Sequence, residues 1–389
     1  MPIEQSDDLP IDQQEDFRDL LQPANWYHGA VLWSTDWTSE TIIAQLKKGT
    51  IDLNPRYQRR NAWSLKRKSL FIESLILGLP VPQIILAEDK NRRGSFIVID
   101  GKQRLLCLRQ FAAYENDKSF ERLKLSSLDD RQDLNGLTYE QLQADPAFSE
   151  DLRSFENQTI RTVVIRNWAD EQYLYSVFLR INTGSVQLSP QELRQALIPG
   201  PFSDFIDDFS SSSHELKRAM NITEPDFRMR DVELVLRFYA YINFSHQYDG
   251  NLKRFLDETA RRLNRRLQDG DQTILAQGLE LNEALKVTFD IFGERGNLKK
   301  WNGNKYERRI NRAVFDIMTY YFANPNIRAA ARQHTEEIEE EFKKLCSSNN
   351  NFLSSLEATT KSREANHIRF ATWATALSNI LGTNIQSPI

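Results

Sequence analysis

A change of repeat length at Pro199-Gly200-Pro201 sets the limits on this fold. Beyond it, Asp231–Phe244, Leu252–Leu267, Ile274–Phe292, Tyr306–Ala323 and Ile327–Leu345 place apolar residues at a 3.6-residue spacing, and Ser362–Leu381 adds a last helix. That period belongs to amphipathic helices. β-rich alternation is nearly absent there, so Ser203–Ile389 is predicted to be all-helical. Before it, strand and helix signals alternate. Thr38–Lys48 reads as a helix ended by Gly49, and Ile51-Asp52-Leu53 as a strand stopped by Asn54-Pro55. Ser64 caps a helix that reaches Leu77, with Gly78 as its stop. Gln83–Ala87, Phe96–Ile99 and Thr159–Arg166 are β-rich; Gln103–Ala113 and Asp170–Ile181 are helical. Ser189-Pro190-Gln191-Glu192 has the spacing of a capping box, with proline at the first helical position. Tyr114–Gln158 is polar and weakly patterned, and is expected to be an insertion or a loosely structured connector. The fold class is therefore α+β: a domain with a small mixed sheet over 26–200, inserted near 114–158, then an all-α domain over 201–389.

Composition narrows the function classes. The 389 residues are 40% hydrophobic, enough for real cores, which excludes a wholly disordered chain. Two cysteines, Cys107 and Cys346, exclude a disulfide scaffold and point to a reducing compartment. Met1–Leu20 lacks the basic and apolar regions of a secretory signal, and no apolar run has the roughly 20 residues of a membrane helix, so a cytoplasmic location is expected. The net charge of −4 hides opposed regions. Met1–Leu20 holds seven acids and one base, and reads as a solvated leader over 1–25. Lys47–Lys68 holds eight bases and one acid, interleaved with Tyr57, Gln58 and Trp63. Such a mixture suits phosphate or nucleic-acid contact, although Lys66–Lys68 also fits an ordinary exposed helix face.

Familiar catalytic signatures are missing. The histidines fall in no HExxH or Cys/His cluster, and there is no GxxxxGK[ST], GxGxxG or GxSxG. Glu88-Asp89-Lys90 has the acid-x-lysine form of some metal-dependent nucleases, a tripeptide common by chance. Three punctuated segments remain: Asn54–Trp63, Val98–Leu105 and Phe178–Arg194. In the second, a strand ends at Ile99, Gly101 allows a sharp turn, and a helix begins near Lys102. Main-chain N–H groups at such a start, with Lys102 and Arg104, form an anion site, and Asp100 could hold a metal ion, a ribose hydroxyl or a water. A plain strand-to-helix turn explains the same residues.

Together the three segments resemble the N-terminal domain of GmrSD-type restriction systems, a family with ParB/sulfiredoxin-like architecture. Its Asp-Gly-Gln-Gln-Arg signature reads here Asp100-Gly101-Lys102-Gln103-Arg104, with Lys102 replacing the first glutamine. Its Tyr/Phe-Gln-Arg box matches Tyr57-Gln58-Arg59, its Gly-x-Pro-x-Pro segment matches Gly78–Pro82, and its Arg-Ile/Leu-Asn-Thr-Gly…Leu-x-x-Gln-Glu-Leu-Arg stretch matches Arg180–Arg194. The resemblance implies nucleotide binding and hydrolysis in defence against foreign DNA. It assigns Asp100, Gly101, Lys102, Gln103 and Arg104 to phosphate binding, with Arg56, Tyr57, Arg180, Asn182, Thr183 and Gly184 lining the nucleotide. Asn182 and Asp100 are its metal candidates, for Mg2+ bound with a nucleoside triphosphate. Gln58 and Arg59 are its candidates for positioning water or stabilising transferred phosphoryl charge. For Arg180, Gln191 and Arg194 a buried network that holds the helix start is an equal reading. Relatives of two parts carry a His-Asn-His nuclease that is not recognisable here.

Three functions follow: an NTP-hydrolysing switch in a restriction-like, anti-phage system, coupled to DNA sensing or to a separate nuclease or effector; a metal-dependent nuclease that cuts DNA at this same site; and a non-catalytic DNA-binding adaptor. The expected partners are the triphosphate and DNA, with no membrane, and a homodimer is a candidate assembly.

Overall fold

Strand β2 (Ile84–Glu88) is apolar on both faces, and Ile84, Ile85, Leu86 and Ala87 are all buried. A strand reads so when neighbours flank it and layers cover it. The computed structural model describes residues 30–53, 63–90, 92–169, 173–174, 177, 189–357 and 360–389. In it, β2 is central in a four-stranded mixed sheet of order β1-β4-β2-β3. It runs parallel to β4 (Thr159–Arg166) and antiparallel to β3 (Phe96–Asp100). The outer strand β1 (Val31–Thr38) pairs antiparallel with β4, from Val31 opposite Arg166 to Thr38 opposite Thr159. No sequence signal predicts this strand. Its Val31, Leu32 and Trp33 are exposed, so no buried alternation marks it.

The helices follow their local signals. Thr38 caps α1 (Ser39–Lys47) and Ser64 caps α2 (Leu65–Ile76), each hydroxyl accepting a first-turn N–H. Helix α3 (Lys102–Phe111) follows β3 directly. Ile42, Leu46, Ile72, Leu75, Leu105, Leu108 and Phe111 meet Leu86, Ile160 and Val164 in one apolar core. Each such Leu, Ile or Phe contributes about 1.5–3 kcal/mol relative to exposure. Residues 51–53 form no strand; Ile51 makes an isolated bridge to Phe96.

The segment 114–158 is no loose connector. It contains α4 (Tyr139–Ala144) and α5 (Ser149–Asn157), and it buries Phe120, Leu123, Leu125, Leu134, Tyr139, Leu142 and Phe155 in the same core. Its order comes from α2. The buried Glu73 carboxylate accepts the N–H groups of Asp130 at 3.0 Å and Arg131 at 2.7 Å, and Ser69 Oγ accepts that of Ser126 at 3.0 Å. These bonds span more than fifty residues, so no local period announces them.

The chain divides into two units between Leu197 and Ile198. Helix α6 (Pro190–Leu197) closes the first. The second is built on α7 (Pro201–Ser212), α8 (His214–Met220), α9 (Arg230–Phe244), α10 (Leu252–Gln268) and α11 (Thr273–Gly296). Gly200 is required at the α7 start, where a Cβ would lie 2.4 Å from Asn264. Asn264 Oδ1 uses that space to accept the N–H groups of Phe202 and Ser203.

Two expectations for the second unit need correction. Tyr306–Ala323 is not one helix: a hairpin of β5 (Lys299–Trp301) and β6 (Tyr306–Ile310) precedes α12 (Arg312–Phe322). The Asn302-Gly303 pair in its turn is the signal that could have found it. Ile327–Leu345 is α13 (Pro325–Ala331) and α14 (Thr335–Ser348). Helices α15 (Asn350–Glu357) and α16 (Arg363–Leu381) complete the unit. Around α9 and α12 lies a fully buried ionic cluster of Arg237, Asp316 and Arg369, with Glu233 and Arg312 beside it.

Candidate functional site

Strand β3 ends at Asp100, and α3 begins two residues later at Lys102. Gly101 makes the turn at φ +93°, left-handed backbone that residues with a Cβ rarely adopt. Space is also short: a Cβ there would meet Ile84 Cγ1 at 3.1 Å and the Arg104 guanidinium at 3.2 Å. Gly101→Ala is therefore expected to cost about 1–3 kcal/mol through strain at the left-handed position, read as a lower melting temperature. A melting temperature equal to that of the parent would contradict this account of the turn.

Gly101 also leaves α3 without a side-chain cap. The first-turn N–H groups of a helix carry the positive end of its dipole. Three signature side chains surround that start. Asp100 is partly exposed and accepts from Arg104 Nη2 at 2.8 Å. Arg104 is buried, and the same Nη2 donates to the Gln83 carbonyl at 2.8 Å. Arg104 Nε and Gln103 Oε1 are buried without a hydrogen-bond partner among the described residues. Arg104 thus locks the end of β3 to the start of β2 and retains one donor with no acceptor among the described residues.

Lys102 goes elsewhere. Its ammonium lies 3.2 Å from Glu192 Oε1, and both side chains are buried. Glu192 belongs to α6, in the third sequence segment. The capping box expected there is present: Ser189 N–H donates to Glu192 Oε2 at 2.8 Å, and Glu192 N–H donates to Ser189 Oγ at 3.0 Å. One carboxylate therefore ties the start of α6 to the start of α3. Gln191 and Arg194, both buried, are bonded to each other at 2.6 Å, which supports their reading as a network that holds the helix start. Among the sequence-assigned residues, Asp100, Gly101, Lys102, Gln103 and Arg104 come together. Arg56, Tyr57, Gln58, Arg59, Arg180, Asn182, Thr183 and Gly184 lie outside the described residues. No sequence signal marks Glu192 as the partner of Lys102.

The described part of the basic stretch is largely engaged within its own unit. Lys47 Nζ sits 4.3 Å from the Tyr114 ring centre, and the Arg67 guanidinium 4.8 Å from that of Trp63. Lys66 pairs with Asp129. Lys68 is not on an exposed face: it is buried, and its Nζ donates to Gln110 Oε1 at 2.8 Å. Burial lowers its pKa, against the opposing pull of Cys107 and Glu121. Among the described residues no cluster of three or more His, Cys, Asp or Glu side chains could hold a metal ion.

A glycine-turned strand-to-helix junction, tied to a capped second helix over a small mixed sheet, defines an α+β domain with one candidate anion site. Residues 40–199 match the family model described as GmrSD restriction endonuclease, N-terminal domain, and the first unit resembles that family. No curated protein and no solved structure matches the chain. The family match points to a restriction-like defence system.

Proposed function

We propose that the first unit binds a nucleoside triphosphate at the β3–α3 turn and hydrolyses it, as the switching component of a restriction-like system directed at DNA. The observation that carries this reading is the convergence of Asp100–Arg104 with the Ser189–Glu192 helix start through the Lys102–Glu192 pair. A phosphate at the uncapped start of α3 meets main-chain N–H donors and the helix dipole. Arg104 holds Asp100 and has a spare Nε–H of the kind a phosphate oxygen satisfies. Lys102 already faces a carboxylate, so its charge contributes less to anion binding than the sequence implies. Asn182, Gln58 and Arg59 keep the roles that the resemblance gives them. Mg2+ takes oxygen donors, one or two of them carboxylates, together with substrate phosphates. Asp100 and the spare Gln103 Oε1 suit it, and it would neutralise charge on the phosphate oxygens.

Phosphate release with Mg2+ and each of the four common NTPs tests the proposal. Arg104→Ala is expected to lower turnover by about 10²–10³-fold, the usual loss when one donor to developing charge is removed. Asp100→Asn, which keeps the turn's shape, is expected to act in the same direction. Wild-type turnover in folded Arg104→Ala would sink the assignment. Plasmid nicked by the metal-loaded chain without nucleotide would replace it with the nuclease reading.

A further inference from the structure

The second unit gathers exposed cations on one hairpin and the helix end before it. Along β5–β6 and the end of α11, Arg295, Lys305, Arg308 and Arg309 are exposed, and among the described residues no carboxylate pairs with them. Lys299 is half-buried, with Nζ 3.4 Å from the Glu294 carbonyl. A cleft of about 500 Å³ gathers Arg295, Lys299, Lys305 and Arg308 beside Trp301 and Tyr306. Two acids also line it, and both are engaged: Glu294 by Arg218, and Glu307 by Lys300 at 2.9 Å. Glu339, which accepts from the Tyr306 hydroxyl, is also held by Lys343, each at 2.8 Å. In a chain of net charge −4, this surface keeps uncompensated positive charge.

The surface is also stiff. Lys300 of β5 is buried and binds Glu307 and Glu357. The rings of Trp301 and Tyr306 meet edge to face at 5.1 Å. In the turn, Asn302 Oδ1 accepts the N–H groups of Asn304 and Lys305 at 3.1 and 3.0 Å. A fixed frame lowers the ordering cost of contact for the cations it carries.

We propose that the β5–β6 hairpin is a duplex-DNA contact, with Lys305 and Arg308 on backbone phosphates and Arg295, Lys299 and Arg309 flanking them. A two-stranded ribbon is one of the elements that the major groove of B-DNA admits. Arginine's planar fork matches phosphate oxygens. An anionic membrane fits less well, because the tip Asn302-Gly303-Asn304-Lys305 offers no apolar side chain to insert. The hairpin lies on a different unit from the nucleotide site, and its contact with DNA does not depend on that site's chemistry.

The test is fluorescence anisotropy of the full chain with a short labelled duplex, titrated across a series of salt concentrations. The double substitution Lys305→Glu with Arg308→Glu is expected to weaken binding at least ~10-fold, and to reduce the log–log salt slope by about two, one for each phosphate no longer neutralised. Its melting temperature and NTP turnover are expected to match wild type. If charge reversal lowers the melting temperature, the neutral pair Lys305→Gln with Arg308→Gln is read in the same way. Equal duplex affinity and slope in the variants overturns the proposal, as does a wild-type chain that binds no duplex. Binding to phosphatidylserine vesicles but not to DNA overturns it in favour of a membrane surface. Loss of DNA binding with turnover retained supports it. Absence of turnover in wild type would sink the nucleotide reading and leave the hairpin result intact.

Discussion

Asp316→Asn is expected to destabilise the helical unit by about 3–5 kcal/mol, the usual loss when one partner of a buried ion pair is removed. The cause is specific. Asp316 is fully buried on α12, and its carboxylate accepts from Arg237 Nε at 2.9 Å and from Arg237 Nη2. Arg369 Nη2 reaches the same carboxylate at 3.5 Å. Both guanidiniums are themselves fully buried, and burial without that carboxylate would leave their charge without solvent or its partner. Glu233 cannot take over readily. It receives the fork of Arg312, with bonds of 2.8 and 2.7 Å, and stands 4.0 Å from Arg237. Arg369 also donates to Asn366 Oδ1 and to the Thr360 carbonyl, both at 2.6 Å, and keeps those bonds when Asp316 is changed. Urea unfolding followed by circular dichroism measures the effect. A loss below about 1 kcal/mol, the scale of an ordinary surface pair, would refute the shared-carboxylate account.

The legible and illegible parts of this chain separate by range of interaction. The strand–glycine–helix turn is readable because its determinants are consecutive: Ile99 ends a β-rich run, and Gly101 permits the left-handed turn. The α6 start is readable for the same reason, since Ser189 and Glu192 cap each other across three residues. Ser64 and Ser362 mark the starts of α2 and α16 correctly. By contrast, the order of 114–158 rests on Glu73 and Ser69, which local signals place merely within a helix. Strand β1 escapes the sequence because its pattern is set by its pairing with β4, more than a hundred residues away. The same limit applies to charge. Eight bases in Lys47–Lys68 suggest a polyanion surface, yet Lys68 is buried, and Lys47, Lys66 and Arg67 each meet a ring or an acid of their own unit. A cluster of exposed cations with no carboxylate partner among the described residues lies around β5–β6, where the apolar period suggests a helix instead.

The Lys102–Glu192 pair separates a structural use of the signature from a chemical one. Lys102→Gln restores the glutamine of the family signature but leaves the Glu192 carboxylate, itself buried, without its cation. Glu192→Gln keeps a capping-box residue at the third helical position, since glutamine serves there as well as glutamate, but removes the anion that faces Lys102. Each single change is expected to cost about 3 kcal/mol or more, because each takes the opposite charge away from a buried member of the pair. The double variant, neutral at both ends, is expected to cost less than either single change, with a coupling of at least ~1.5 kcal/mol in the cycle. Additive losses would mean that the two side chains do not interact in solution. Nucleotide affinity of the folded double variant then decides the role of Lys102. If its ammonium serves to bind α3 to α6, the double variant retains affinity for the triphosphate within about threefold, well under the ~1.4 kcal/mol of a tenfold change. If the ammonium contacts phosphate, affinity falls by tenfold or more although stability recovers. The geometry favours the first result, because the glutamine signature needs no charge at this position and the lysine brings its own compensating acid.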